Sequence, residues 1–313
     1  MIHVRLGYAC VNLTLGPEGR TSRTCRLQNA TPLHLKELAL ANLAGLHKVL
    51  NWNLSHDIML FRISSEIIPL ASHPKARWPW RQELRQQIST LGDFAKEHSM
   101  RLSMHPGQYT VLNSPRTDVA AAAAAELSYH ADFLDAMGLA IEHKIILHVG
   151  GVYGDRQASS QRFTESFRNL PENVKNRLVI ENDEHNYGVD DVLHLCDYLS
   201  IPMVFDYLHY QAYSRRPLKH GLMDRVCGTW SQIDGLPEMH YSTQRHRSRI
   251  GAHADMINPR DFKRFLKILP KCDIDVVLEA KGKDMALLKL QEDLHSVTGV
   301  LKVTAEGDIV VAK

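Results

Sequence analysis

The 313-residue sequence has no run of about 20 apolar residues, the length a helix needs to cross a bilayer, so a soluble chain is expected. Cysteine is scarce and unpaired in pattern. Cys10, Cys25, Cys196, Cys227 and Cys272 are odd in number and scattered, with no Cys-x-x-Cys. This disfavours a disulfide framework and a thiolate zinc site, and predicts reduced, intracellular thiols. A secretory leader is also missing, because Met1-Ile2-His3-Val4-Arg5-Leu6 enters a strand-like run at once, so a cytoplasmic protein is expected. No Gly-x-Gly-x-x-Gly follows that run, where Leu6-Gly7-Tyr8-Ala9-Cys10 stands instead, and a dinucleotide-binding sheet therefore lacks its main signature. Charge of one sign is lacking too. With 37 Lys and Arg against 35 Asp and Glu, the net charge of +2 neither demands nor excludes a polyanionic partner.

What is present is a regular alternation. Apolar, β-branched-rich runs occur at Val4–Tyr8, Ile58–Ile63, Leu102–Met104, Ile145–Leu147, Leu178–Ile180, Met203–Phe205, Met239–Tyr241 and Val276–Leu278. Helical periods separate them. Thr31-Pro32 reads as an N-cap with proline in the first turn, followed by Leu35, Ala39, Leu43, Leu46 and Leu50 on one face. Leu84, Ile88, Leu91 and Phe94 repeat the pattern, as do Phe163, Phe167 and Leu170, and Ala120–Ala125 reads as a closely packed helix. No linker, charge block or tandem repeat divides the chain. Eight strands alternating with helices predict a single α/β domain over residues 1–313, a (β/α)8 TIM barrel, with the tail at about 303–313 outside the scheme.

Chemistry is written at the ends of the strands. His105 follows the third, His148 the fourth, Glu181 the fifth, Asp206 the sixth and Glu279 the eighth. His209 lies three residues beyond Asp206, Glu238 and His240 share one side of the seventh strand, and His253 sits in the next loop. Parallel barrel strands all finish on one face, so these nine groups are expected to meet at the C-terminal mouth. A lone histidine or carboxylate there is ordinarily a cap or a satisfied polar group. Four carboxylates in one low-dielectric pocket would repel one another, and cations relieve that cost. Mixed imidazole and carboxylate donors suit zinc or manganese. Nine donors exceed one coordination sphere, so two or three ions are expected, with a carboxylate such as Glu181 bridging a pair about 3.5–4 Å apart, a spacing suited to in-line displacement at phosphorus.

The loops on the same face are basic: Arg20, Arg23 and Arg26 after the first strand, Arg215, Arg216 and Lys219 after the sixth, and Arg245, Arg247 and Arg249 after the seventh. A ring of cations around a metal mouth points to a nucleic-acid backbone. Tyr8, Asn12, Gln108 and Tyr109 supply aromatic and amide groups that could stack on, or wedge between, bases.

Taken together these segments resemble the UV damage endonucleases. The resemblance is carried by Leu6-Gly7-Tyr8-Ala9-Cys10-Val11-Asn12-Leu13-Thr14-Leu15, Met104-His105-Pro106-Gly107-Gln108-Tyr109, Leu147-His148-Val149-Gly150-Gly151, Ile180-Glu181-Asn182-Asp183-Glu184, Asp206-Tyr207-Leu208-His209, Met239-His240, Gly251-Ala252-His253 and Leu278-Glu279-Ala280-Lys281-Gly282-Lys283, in order from about residue 3 to 285. It implies a cluster of three divalent ions, manganese before magnesium, cobalt or zinc, and incision immediately 5′ to pyrimidine dimers and 6-4 photoproducts. The implied ligands are His105, His148, Glu181, Asp206, His209, Glu238, His240, His253 and Glu279, with Glu181, Glu238, Glu279 and Lys281 catalytic. Tyr8, Gln108 and Tyr109 match lesion-probing positions, Asn12 falls in the same first loop, and Arg245 and Arg247 are expected on the DNA.

Two positions depart from the family pattern. Some members carry at the position of Glu238 a lysine that becomes carboxylated, and some carry a second histidine where this chain has Tyr210. The expected partner is damaged double-stranded DNA, met by a monomer, with no membrane and no nucleotide cofactor. Two alternatives share the barrel: an abasic-site endonuclease of the endonuclease IV type and a sugar isomerase or epimerase of the xylose isomerase type. Tyr8, Gln108 and Tyr109 weigh against the first, and the arginine-rich loops against the second. A lesion-binding protein without catalysis would need a gap in the ligand set, and none is visible.

Overall fold

The computed structural model describes residues 1–214, 218, 221–295, 301–303 and 309–311. Eight strands, β1 (Ile2–Ala9), β2 (Leu60–Ile63), β3 (Arg101–Met104), β4 (Ile145–His148), β5 (Leu178–Glu181), β6 (Met203–Asp206), β7 (Glu238–Tyr241) and β8 (Ile274–Leu278), pair in parallel in sequence order. Pairing of β1 with both β8 and β2 closes the barrel. Each expected strand is present, within the few residues by which ends commonly differ.

The helices form for the reasons their sequences give. Pro32–Ser55 starts at Thr31, whose side chain accepts from the His34 backbone N–H, and it buries Leu35, Ala39, Leu43, Leu46 and Leu50 against the sheet. The alanine run lies within Thr117–Ala136, where small side chains allow close packing and Leu127, Ala131 and Leu134 are fully enclosed. No helix among the described residues is long and apolar enough to cross a membrane.

The tail acquires a place that the strand count did not foresee. Leu301–Val303 (β9) and Ile309–Val311 (β10) form an antiparallel pair, and β10 runs antiparallel to the first residues of β1, with Ile2 opposite Val311 and Val4 opposite Ile309. Strand β2 joins β1 only from Gly7 onward, so β10 covers the part of the β1 edge that β2 leaves open.

Side chains alternate between the lumen and the helix layer. Three levels of lumen residues result. At the N-terminal floor, Asp275 is fully buried and accepts from Arg5 Nε and Nη2 at 2.7 Å each and from Arg101 Nη1 at 2.6 Å. Arg101 also donates to the carbonyls of Glu142 and Asp234, and the neighbouring Lys144 bonds Asp234 at 2.6 Å. The waist is apolar, with Ala9, Leu60 and Val277 in one cluster and Ile146, Val179 and Val204 in another. The third level is the mouth.

Removing one partner from a buried ion pair strands the remaining charges, at a cost of about 3–5 kcal/mol. Asp275→Ala, which leaves Arg5 and Arg101 facing each other, should lower unfolding stability in urea by that amount. A midpoint unchanged from wild type would mean that the floor network contributes nothing to stability.

Candidate metal centre

The mouth level begins where the strands end, and its hub is Glu181, the last residue of β5 and only 1% exposed. His240 Nδ1 lies 2.8 Å from Glu181 Oε1, and His209 Nδ1 lies 3.6 Å from the same oxygen. The other oxygen, Oε2, has His105 Nε2 at 3.1 Å and His148 Nε2 at 3.5 Å. Imidazoles from β4, β7, the helix Tyr207–Ser214 and the residue after β3 thus converge on one carboxylate.

Three overlapping groups could each hold a cation: His105, His148 and Glu181; Glu181, Asp206 and His209; and Asp206, His240 and Glu279, with the donor atoms of each group within 4.8 Å of one another. The two remaining expected ligands adjoin these groups. Glu238 stands one level deeper, its Oε1 at 3.5 Å from His240 Nε2 and receiving Ser103 Oγ at 3.3 Å. His253 approaches from the rim, with Nδ1 at 2.7 Å from the Glu279 carbonyl and 3.6 Å from its Oε2.

Burial and mutual charge set the ionisation of this cluster. Burial alone would raise Glu181, but His240, His148 and the hydrogen bonds from His105 and His240 hold it well below the ordinary carboxylate range. Burial likewise opposes ionisation of Glu279 and of Glu238, and is outweighed by Arg62 and His240 at the first and by His240 and Arg101 at the second. Asp206 goes the other way: burial, reinforced by Glu181 and Glu279, pushes it up to about 6. Burial works against a charged His240 and His209, yet the surrounding carboxylates, led by Glu181 for His240 and Asp206 for His209, push them up to about 10 and about 9. Burial lowers His148.

The donor set fits divalent cations. Asp206 Oδ2, Glu238 Oε2 and His240 Nε2 are buried without a hydrogen-bond partner among the described residues, although such atoms are rarely left unsatisfied. All are nitrogen or carboxylate oxygen, which suits a borderline or hard ion.

The rim is less uniform than the sequence suggested. Gln108 and Tyr109 are exposed just beyond His105, Tyr109 to 84%. Arg245 and Arg247 are exposed on a loop that a Gln244–His253 bridge and a bond from Gly251 N–H to Gln244 Oε1 close into a hairpin, so the segment that carries the arginines also delivers His253. Lys281 is exposed two residues beyond Glu279. Arg23, by contrast, spends its guanidinium on the backbone carbonyls of Pro17, Arg20 and Ala41. Arg215, Arg216 and Lys219 lie outside the described residues.

Tyr8 and Asn12 depart from the expected lesion-facing role. Tyr8 shares the parity of Leu6 and Val4, so it faces the helix layer, fully enclosed beside Trp52 and Phe61. Its hydroxyl donates to Asn53 Oδ1 at 2.6 Å and accepts from Asn12 Nδ2 at 2.8 Å, while Asn12 Oδ1 accepts from Leu15 N–H. These residues pin the first loop and present nothing to a base. Two residues at the mouth went unnoticed in the sequence. Arg62, in the middle of β2, bonds Glu279, and Glu184 Oε2 lies 3.6 Å from His209 Nε2. A charge inside the apolar run Leu60-Phe61-Arg62-Ile63 was the available signal, since an arginine enclosed by a sheet requires an anionic or carbonyl partner.

Comparison with known proteins agrees with this geometry. Residues 4–309 match the family described as UV-endonuclease UvdE. The UV DNA damage endonuclease of Clostridium perfringens is 37% identical over 305 residues, covering 96% of this chain and 73% of the relative. That of Bacillus velezensis is 36% identical, covering 86% and 85%. The crystal structure of SacUVDE superimposes with a TM-score of 0.86 at 40% identity, covering 94% of this chain and all of the other. Endonuclease IV from Thermus thermophilus, at a TM-score of 0.55 and 13% identity, shares the fold. With nearly its whole length matched and its barrel reproduced, the chain belongs to the UV-endonuclease UvdE family.

Proposed function

We propose that the chain is a metal-dependent DNA repair endonuclease that cuts the phosphodiester immediately 5′ to UV photolesions, leaving a 3′-hydroxyl and a 5′-phosphate. The observation that carries this reading is the convergence of four imidazoles on Glu181 at a mouth bordered by exposed Tyr109, Arg245 and Arg247. Three overlapping donor groups support three ions, for which manganese suits the mixture of nitrogen and oxygen. When bound, such ions supply a water acidified toward neutrality and charge stabilisation at the departing 3′ oxygen.

The chain's own residues do the rest. Glu181 and Asp206, each common to two groups, would hold adjacent ions, and Glu279 completes the third group with Arg62 fixing its carboxylate. Glu238 offers a carboxylate directly, where some relatives use a carboxylated lysine. Arg245, Arg247 and Lys281 meet phosphates, which sets affinity rather than sequence choice. Gln108 and Tyr109 test the base stack for distortion. Tyr8 and Asn12 contribute by holding the first loop.

Supercoiled plasmid that is UV-irradiated, abasic or undamaged, incubated with manganese or a chelator, separates the readings. Manganese-dependent nicking of the irradiated plasmid is expected, preference for the abasic one would favour an abasic-site enzyme, and no nicking would remove the proposal. Glu279→Gln should abolish nicking while retaining most DNA binding, and a fully active variant would take this ligand out of the site.

With His240 and His209 shifted to about 10 and about 9, both carry protons at neutral pH in the metal-free protein, and a cation must displace them. Calorimetric titration with Mn2+ at pH 7.5 should release roughly one to two protons per chain, seen as a heat that varies with buffer ionisation enthalpy, and affinity should rise with pH. Heats identical in all buffers would contradict this. Metal loading should also be indifferent to bicarbonate, and a metal content that fell in bicarbonate-free buffer would contradict the role given to Glu238.

A further inference from the structure

Beside the donor cluster lies a cavity of about 460 Å³ that the ligand set does not explain. Arg62, Arg249, Lys281 and Lys283 line it, with Cys10 between them, and its wall toward the donors is formed by His253 and Glu279. Four cationic side chains therefore surround one carboxylate that is itself committed to the cluster.

Arg62 forms the floor. Its side chain is only 5% exposed, one Nη bonds Glu279 Oε1, and its Nε is buried without a hydrogen-bond partner among the described residues. One carboxylate oxygen does not satisfy the five N–H groups of a guanidinium, and the donors left to meet an anion are those that reach the cavity rather than the enclosed Nε. A planar guanidinium facing a cavity rich in cations matches the oxygens of a phosphate.

The walls are built in advance. Cys10 and Lys283 both hold left-handed backbone conformations, at φ of 68° and 50°, which non-glycine residues seldom adopt. The Cys10 N–H donates to the Arg62 carbonyl at 2.7 Å. Across the cavity, Lys281 and Gly282 N–H groups bond the carbonyls of Ala254 and Asp255 at 3.0 and 2.7 Å, and a Cβ at Gly282 would stand 2.6 Å from the Asp255 oxygen. The loop after β8 is thus locked against the loop after β7 with its lysines on the cavity.

We propose that this cavity is a preformed phosphate subsite, in which Arg62, Lys283 and Arg249 hold a backbone phosphate of the bound strand beside the donor cluster. Arg62 is at the same time a positioning residue, because the bond that fixes Glu279 comes from the guanidinium that faces the anion. That the phosphate belongs to DNA rests on the endonuclease reading, whereas the anion site itself does not.

The test uses the full chain, loaded with manganese and freed of excess ions, in equilibrium dialysis against radiolabelled inorganic phosphate, with metal content measured in parallel. Wild type should bind phosphate saturably. Lys283→Met and Arg249→Met should weaken binding at least tenfold with metal content unchanged. Arg62→Lys, which keeps the charge and loses the planar fork, should also weaken it and should lower kcat on irradiated DNA, while Lys283→Met mainly raises KM. Absence of saturable binding, or binding equally tight in both methionine variants, would place the anion on the metals or nowhere and overturn the subsite. Phosphate binding with the expected variant effects, in a protein that nicks no DNA, would support the subsite and remove the endonuclease reading instead.

Discussion

Side chains of a strand point alternately to the two faces of its sheet, and closing the sheet turns one face into an enclosed lumen. In this barrel that alternation decides which residues can meet. Arg5, Arg101 and Asp275 share the floor, Leu60, Val179 and Val277 the waist, and Glu181, His240 and Glu279 the mouth. A shift of one residue in any strand would exchange its lumen side chains for those packed on the helices. The apolar waist lies between the two charged levels, and Glu238 links them, since the Arg101 of the floor helps to keep its carboxylate ionised. At the floor the ions neutralise one another directly. At the mouth they do so only in part, and Asp206, Glu238 and His240 each retain a buried atom without a hydrogen-bond partner among the described residues.

This incompleteness is informative. A cluster built for stability alone would be better made of apolar residues, since buried ionic groups seldom repay their desolvation. Here Glu181 stays ionised because imidazoles from separate elements surround it, and two of those imidazoles stay protonated because of carboxylates. Protons occupy the places for which cations would compete, and the same arrangement would set both the affinity for a bound metal and its dependence on pH.

Much of this was legible in the sequence, and for a physical reason. Five of the eight apolar runs ended in a donor, and parallel strands of one barrel end on one face, so His105, His148, Glu181, Asp206 and Glu279 could be brought together without any three-dimensional information. Orientation was harder. Tyr8 stands one residue from the mouth in sequence yet points away from it, because its parity is that of Leu6, and only the pairing of β1 with β2 and β8 fixes that parity. Arg62 was hidden by the opposite error: a charge inside an apolar run looks like an interruption until the lumen supplies Glu279. Arg23 shows why a count of basic residues overstates a binding surface, since backbone carbonyls had already claimed its guanidinium.

The antiparallel contact of β10 with the start of β1 carries a consequence for assembly. Ile2–Val4 offers a bare row of amides and carbonyls until Ile309–Val311, near the far end of the chain, comes to lie against it. During synthesis the first strand is therefore available early and guarded late, a window in which another chain could take the place of its own tail.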